Sequence, residues 1–204
     1  LLAVIMAGGE GRRLNLGEKP LVKICGRPMI ASVIDAFREA GHDIVVALSE
    51  RTPYTQNWCR VQGVDFVVAE GKGYVRDLVD VVLILGEEKP LFTCVADLPC
   101  ITAPLIARIS DAYRDAGKDA CSVWVPLALC GEKSDRSVYM EIIDGIEAVP
   151  AGINVLRGDR IREPQEEFAF LCKDSRLTYQ VNTREDLAKV ERSLLMRGVP
   201  TRLE

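Results

Sequence analysis

Five short apolar runs, with helical patterns between them, leave few folds open to this 204-residue chain. The runs are residues 2–6, 43–48, 64–69, 90–96 and 121–125. They are apolar along their length rather than at alternate positions, so each predicts a strand buried on both faces. Residues 29–40, 54–61, 74–85 and 103–116 lie between them with helical spacing. The last of these has Thr102 as a cap and Pro104 in its first turn. Strands joined through helices run parallel. The pattern therefore predicts a three-layer α/β fold, with a mostly parallel central sheet and helices on both faces. Sites in such sheets lie at the carboxyl ends of the strands. That rim would gather the turn at residues 8–13, Ser49, residues 70–73 and Asp97 from four separate loops.

After Pro126 the pattern changes. Residues 127–136 read as a loop, and 137–143 and 146–149 flank Asp144-Gly145, a hairpin signal. Residues 178–181 read as a short strand. Asn182-Thr183 opens an amphipathic helix over 184–196, with Glu185 and Asp186 where the helix dipole favours acids. No repeat or linker interrupts the chain. The expectation is one domain over 1–204, whose C-terminal third lays a small mixed sheet over the substrate side.

Composition narrows the function. A 48% hydrophobic and 27% charged chain is in the range of soluble globular proteins. No apolar run approaches the ~20 residues of a membrane span. Residues 1–6 are too short for a signal peptide and lack a basic leader, which predicts a cytoplasmic protein. A net charge of −4 argues against general nucleic-acid binding. Residues 7–28 depart from that balance, with Arg12, Arg13, Lys19, Lys23 and Arg27 against Glu10 and Glu18, which suits a small anionic ligand. The seven cysteines are odd in number, lack a C-x-x-C pair and sit mostly in apolar runs. They read as buried thiols in a reducing compartment rather than disulfides, zinc ligands or nucleophiles. His42 follows Gly41 at a helix-to-strand turn and reads as a turn residue rather than a catalyst. Trp58 or Trp124, if exposed, would mark an interface, which leaves a homodimer open.

The first run ends in Ala7-Gly8-Gly9-Glu10-Gly11. Gly8, Gly9 and Gly11 leave backbone N–H groups bare to a phosphate chain. With Arg12, Arg13 and Lys19 following, the segment suits a triphosphate. A dinucleotide fingerprint fails at Leu14, too large for its third small position, and no G-x-x-x-x-G-K-[ST] exists. The plain alternative is a glycine-rich connection with surface arginines. Asp97 ends the fourth run, where a carboxylate facing a triphosphate can hold Mg²⁺, or can simply begin a turn before Pro99. Gly71, Lys72 and Gly73 bare the backbone beside a helix N-terminus, a second anion site, or form an ordinary loop with a solvated lysine. Gly152 permits close approach of backbone to a ligand. Asn182, on spacing alone, reads as the cap of the last helix.

The pattern Ala7-Gly8-Gly9-x-Gly11-x-Arg13-Leu14, followed by Lys19-Pro20-Leu21 and Gly26-Arg27-Pro28-Met29-Ile30, resembles the nucleotidyltransferases of the glycosyltransferase-A type. That resemblance implies transfer of a nucleotidyl group to a phosphorylated acceptor with release of pyrophosphate, and makes Asp97 the metal aspartate. Within that group the chain resembles the small guanylyltransferases, which act on molybdenum cofactor or, in the archaeal type, on a phosphorylated corrinoid in cobalamin synthesis. Residues 71–74 with Asp77-Leu78, residues 149–155 and residues 181–187 favour the corrinoid type. The resemblance implies GTP as co-substrate along Ala7–Arg13, Ser49 and Gly71–Gly73, with Arg12, Arg13 and Lys19 on the leaving pyrophosphate. It implies Mg²⁺ at Asp97 and a corrinoid near Gly152, Asn154 and Asn182, so Asn182 becomes functional rather than a cap. Two positions depart from the family pattern. Arg12 stands where many relatives carry Thr or Ser, and Asn182 occupies the region of the usual second metal-coordinating acid, so Mg²⁺ would be completed by the phosphates or held weakly. The same transfer onto molybdopterin or a sugar phosphate is an alternative, as is a nucleotide-binding regulator without turnover.

Overall fold

A computed structural model describes residues 1–9, 11, 13–131 and 139–196. Its central strand is β1 (Leu2–Met6), hydrogen-bonded in parallel to a strand on either side. A strand in that position has neither face in water. Accordingly Ala3 and Ile5 pack into one apolar cluster while Val4 packs into another on the opposite face. Two residue pairs, Lys23–Ile24 and Arg27–Pro28, form the small separate hairpin β2–β3 and lead into α1 (Met29–Glu39). There follow β4 (Asp43–Ser49), α2 (Pro53–Gln62), β5 (Phe66–Ala69), α3 (Tyr74–Leu85), β6 (Pro90–Val95), α4 (Ala103–Ala116) and β7 (Ala120–Pro126). Helices α1 and α4 bury Phe37, Ile34, Ile106 and Ile109 against one face of the sheet, joined there by Cys59 of α2. Helix α3 buries Leu78, Val81 and Val82 against the other. The three-layer α/β arrangement expected from the sequence is present.

The C-terminal third departs from expectation in one respect. Its strands β8 (Glu141–Ile143), β9 (Ile146–Arg157) and β10 (Glu167–Leu171) do not form a separate sheet over the substrate side. They extend the central one, whose order is β10-β7-β9-β6-β1-β4-β5 with β8 on β9. The Asp144-Gly145 hairpin turn lies where the sequence placed it, but β9 continues for 12 residues and inserts antiparallel between β6 and β7. The reason is burial: Val149, Ala151, Ile153 and Val155 point alternately into the α1/α4 core. The strand expected at 178–181 does not form: Thr178 ends a 3-10 turn, Ser175–Thr178, entered by an Asp174 carboxylate that accepts from the Arg176 N–H at 2.9 Å, and residues 179–181 pair with no strand.

A third apolar cluster positions the site. Val190 and Leu187 of α5 (Arg184–Met196) pack on Leu14, Val22, Ile24 and Met29, and on Cys100 beyond β6. The last helix therefore clamps the N-terminal segment beside the loop after β6. Among the described residues no helix is long and apolar enough to cross a membrane.

Candidate active site

The loop after β1 is held from beneath. The buried Ser49 hydroxyl donates to the Gly8 carbonyl at 2.7 Å, and a methyl group on Gly8 would come within 3.3 Å of Ser49 Cβ. Gly11, at φ +65°, lies flat on the stem of Lys19, which leaves no space for a side chain there. The Lys19 segment is itself anchored through its neighbour. Glu18 accepts from the Tyr54 and Thr55 N–H groups at 2.8 and 2.6 Å and so caps α2 from across the chain. With both ends of the segment fixed, the Lys19 ammonium is aimed at the carboxyl ends of β1 and β6.

There Lys19 Nζ forms an ion pair with Asp97 Oδ2 and donates to Asn182 Oδ1 at 2.8 Å. Positions 78 and 163 residues away along the chain converge on one ammonium group. The Asp97 backbone carbonyl accepts from the Val181 N–H at 3.3 Å, which ties the two loops together. Asp97 Oδ1 is buried and takes no hydrogen bond from any described residue. An unpartnered buried oxygen of a carboxylate is costly, which makes this atom a candidate ligand for a bound cation.

The cleft beside this cluster has a volume of about 310 Å³ and is lined by Ala7, Gly8, Gly9, Lys19, Gly71, Gly73 and Asp97 among others. Of the residues named from the sequence, these seven are brought together. Ser49 lies beneath the loop, its hydroxyl committed to Gly8 and to the Arg51 N–H. Lys72 is turned away: its side chain pairs with Glu70, and its N–H donates to the Asp77 carboxylate at 2.9 Å. Arg13 is exposed and outside the lining, and Arg12 falls outside the described residues. Asn154 sits further down β9 opposite Thr93 and Ser122, away from the cleft.

Pro20, Arg51, Tyr74 and Asp77 line the cleft as well, and none of them was given a role of its own in the sequence. Arg51 belongs to the loop after β4, singled out only by topology. Tyr74 and Asp77 sit in the first turn of α3, where the G-K-G-Y segment was the available signal. Burial holds the Tyr74 phenol above its ordinary pKa, with the hydrogen bond to Thr93 opposing, so it stays protonated at neutral pH.

Gly152 and Asn182 connect this cleft to its surroundings. On β9, Asn154 and Pro150 pair with Ser122 and Trp124, so four steps on one strand oppose two on the other. Gly152, at φ +80°, occupies the resulting bulge, and a methyl group there would lie 2.7 Å from Val95 and 3.1 Å from the Gln180 amide. Asn182 does not cap α5. Thr183 does: its hydroxyl accepts from the Asp186 N–H at 3.1 Å, and the Asp186 carboxylate accepts in return from the Thr183 N–H at 2.9 Å. The Asn182 side chain is thereby left to Lys19.

His42 lies at the opposite end of the sheet, packed edge-on against Phe37 and Phe92 with its Nδ1 3.0 Å from the Leu1 carbonyl. It takes no part in the site. None of the seven cysteines is joined in a disulfide, and five are buried. Trp58 and Trp124 are both half-buried.

A glycine loop after β1, a lysine reaching back to it and an aspartate after β6 are thus gathered at one cleft. Residues 3–133 match the MobA-like NTP transferase domain, and the chain belongs to that family. Over 208 aligned residues it is 29% identical to the adenosylcobinamide-phosphate guanylyltransferase of Methanocaldococcus jannaschii, covering 97% of this chain and 99% of that protein. It is 31% identical over 120 residues to the molybdenum cofactor guanylyltransferase of Shewanella putrefaciens, covering 57% of this chain and 59% of that one. Among solved structures, CMP-2-keto-3-deoxy-manno-octonic acid synthetase complexed with CTP shares the fold, with a TM-score of 0.70 at 16% identity over 97% of this chain and 98% of that one.

Proposed function

We propose that this chain transfers GMP from GTP to the phosphate of adenosylcobinamide phosphate and releases pyrophosphate, as a cytoplasmic enzyme of cobalamin synthesis. The observation that carries the chemistry is the convergence of Asp97 and Asn182 on Lys19, which with Asp97 lines the glycine-walled cleft. Acceptor and base rest on the near full-length match to the archaeal relative, whereas the molybdenum cofactor relative aligns over little more than half of the chain. Seven cysteines with no disulfide among them support a reducing compartment.

In this reading the GTP phosphates lie on the bare backbone of Gly8 and Gly9, and Lys19 meets the negative charge that grows on the departing pyrophosphate. The acceptor phosphate is already ionised at neutral pH, so its oxygen attacks the α-phosphorus without a general base. The α-phosphorus–oxygen bond to the β-phosphate breaks as the new one forms, and the leaving electrons remain on pyrophosphate. Catalysis then rests on alignment and charge, in keeping with a site that has no histidine near it.

The family implies Mg²⁺, and the orphaned Oδ1 of Asp97 fits one ligand of such an ion. No group of three His, Cys, Asp or Glu side chains gathers among the described residues, so the remaining ligands would be phosphate oxygens and water. When bound, the ion neutralises charge on the phosphates and helps to hold them in line. Asn182 supplies no charge of its own here; it holds Lys19 in place.

The test is pyrophosphate release from GTP, ATP, CTP and UTP, each with and without adenosylcobinamide phosphate. Release only when GTP and the corrinoid are both present is the expected result. Release with molybdopterin or a sugar phosphate instead would reassign the acceptor, and nucleotide binding with no release for any acceptor would make the chain a regulator.

A further inference from the structure

We propose that the body of the acceptor is seated in a second cavity, walled by α5 and residues 175–183 and joined to the nucleotide cleft at Asn182. This rests on the transfer reading above and specifies where its second substrate lies. The cavity measures about 740 Å³ against about 310 Å³ for the nucleotide cleft. Asn182 lines the larger space, while its carbonyl oxygen holds the ammonium of Lys19, which lines the smaller. The Lys19–Asn182 hydrogen bond therefore links the two spaces. Gly152 marks the same seam from the sheet, with Val95 of the nucleotide cleft on one side of it and Gln180 of the larger cavity on the other. Nucleotidyl transfer needs such a geometry, because the acceptor must present one phosphate oxygen at the α-phosphorus while the rest of it stays clear of the nucleotide.

The lining can seat a bulky acceptor. Leu129 and Tyr179 give apolar area, and Gln180 and Ser193 give amide and hydroxyl partners. Glu185 and Asp186 line the end nearer Asn182, and Lys189 and Arg192, one turn apart farther along α5, add positive charge. On the transfer reading, the occupant is a phosphate monoester on a bulky, amide-bearing macrocycle, with its phosphate at the seam and its ring against α5.

Two obstructions test this. Ser193→Trp fills the cavity from within, and Lys189→Trp blocks it from an exposed position that the core does not depend on. Steady-state kinetics are run with GTP and adenosylcobinamide phosphate, alongside calorimetric titration of GTP. Both variants should raise KM for the corrinoid by about tenfold or more, with the GTP Kd held within about twofold, as expected for a site remote from the change. If Ser193→Trp loses GTP binding through misfolding, the Lys189→Trp arm decides. Unchanged corrinoid KM in a folded Lys189→Trp, with the wild type active, overturns the cavity assignment alone. A wild type that turns over no corrinoid overturns the transfer reading and this proposal with it.

Discussion

Replacing Lys19 by Met separates what this ammonium does for the fold from what it does for a triphosphate. The Lys19 and Asp97 side chains are 18% and 12% exposed, and Asp97 Oδ1 already lacks a donor among the described residues. Removing the lysine strands a carboxylate with neither oxygen paired to a cation. Breaking a buried pair from one side costs about 3–5 kcal/mol, and the residual exposure puts this one at about 3 kcal/mol. For a domain of this size each kcal/mol moves the midpoint by about 2–4 °C, so Lys19→Met should melt about 6–12 °C below wild type. Adding Asp97→Asn removes the stranded charge, and the double variant should recover to within about 3 °C of wild type. GTP affinity should not recover with it. Both variants lose one charge-assisted contact worth about 1.5–3 kcal/mol, or about 10–150-fold in Kd. Thermal denaturation and calorimetric titration of GTP in the presence of a chelator read the two effects separately. A single variant melting within about 2 °C of wild type would show a pair no stronger than a surface one. An unchanged GTP Kd would remove Lys19 from the phosphates.

Three further outcomes follow from the same geometry. Gly152→Ala combines a left-handed backbone, about 1–2 kcal/mol for a residue with a Cβ, with overpacking against Val95 of about 1–3 kcal/mol; urea denaturation should show a loss of about 2–5 kcal/mol, and an unmoved midpoint would contradict the bulge geometry. Burial beside Phe37 and Phe92 holds the His42 imidazole below its ordinary 6.5, with the Leu1 carbonyl opposing. The unfolded chain therefore takes up this proton first as pH falls, so the contribution is complete above 6.5 and is lost on descent toward the folded-state value. His42→Gln should flatten the decline of the melting midpoint across that window, whereas an equal slope in both proteins would rule His42 out as its source. Burial pushes the Cys59 and Cys121 thiols up to about 11 and raises that of Cys94; alkylation of native protein at pH ~8 should reach Cys25 and Cys130 and spare these three, and mass-spectrometric detection of label on Cys94 would contradict its burial.

How far the sequence could be read depended on whether each signal was local. The first strand and its glycine turn are local: an apolar β-branched run ending in residues without side chains has few conformations open to it. Asp97 is local for the same reason, as the first charge after a buried strand. β9 is not. Whether residues 146–157 form a layer of their own or fill the gap between β6 and β7 depends on edges that those strands leave unpaired, and nothing within the segment records them. β10 is missed because it pairs only with β7 and is half-buried, which leaves its alternation weak. Topology also chose loops rather than side chains. It gathered the loops after β4 and β5 correctly, yet from them it is Arg51 and the backbone of Gly71 and Gly73 that line the cleft, while the named Ser49 and Lys72 are spent on Gly8 and Glu70.

Asn182 shows the limit most clearly, because two physical rules competed for it. Asparagine before a helix is a favoured cap, and spacing alone gives it that role. One position later, Thr183 with Asp186 three residues on forms the reciprocal cap, and this satisfies the helix end without Asn182. A side-chain amide released from capping, on a residue whose backbone N–H donates to Asp186 at 3.1 Å, is an acceptor that can fix a cation contributed from 163 residues away. The Asn182 amide, neutral where the family resemblance leads one to expect an acid, can orient Lys19 without competing with Asp97 for its charge. The ammonium therefore stays paired with one carboxylate and is held by one dipole. On the proposed transfer, a triphosphate would draw Lys19 toward itself at the cost of a single ion pair, and Asp97 would then be open to an incoming ion.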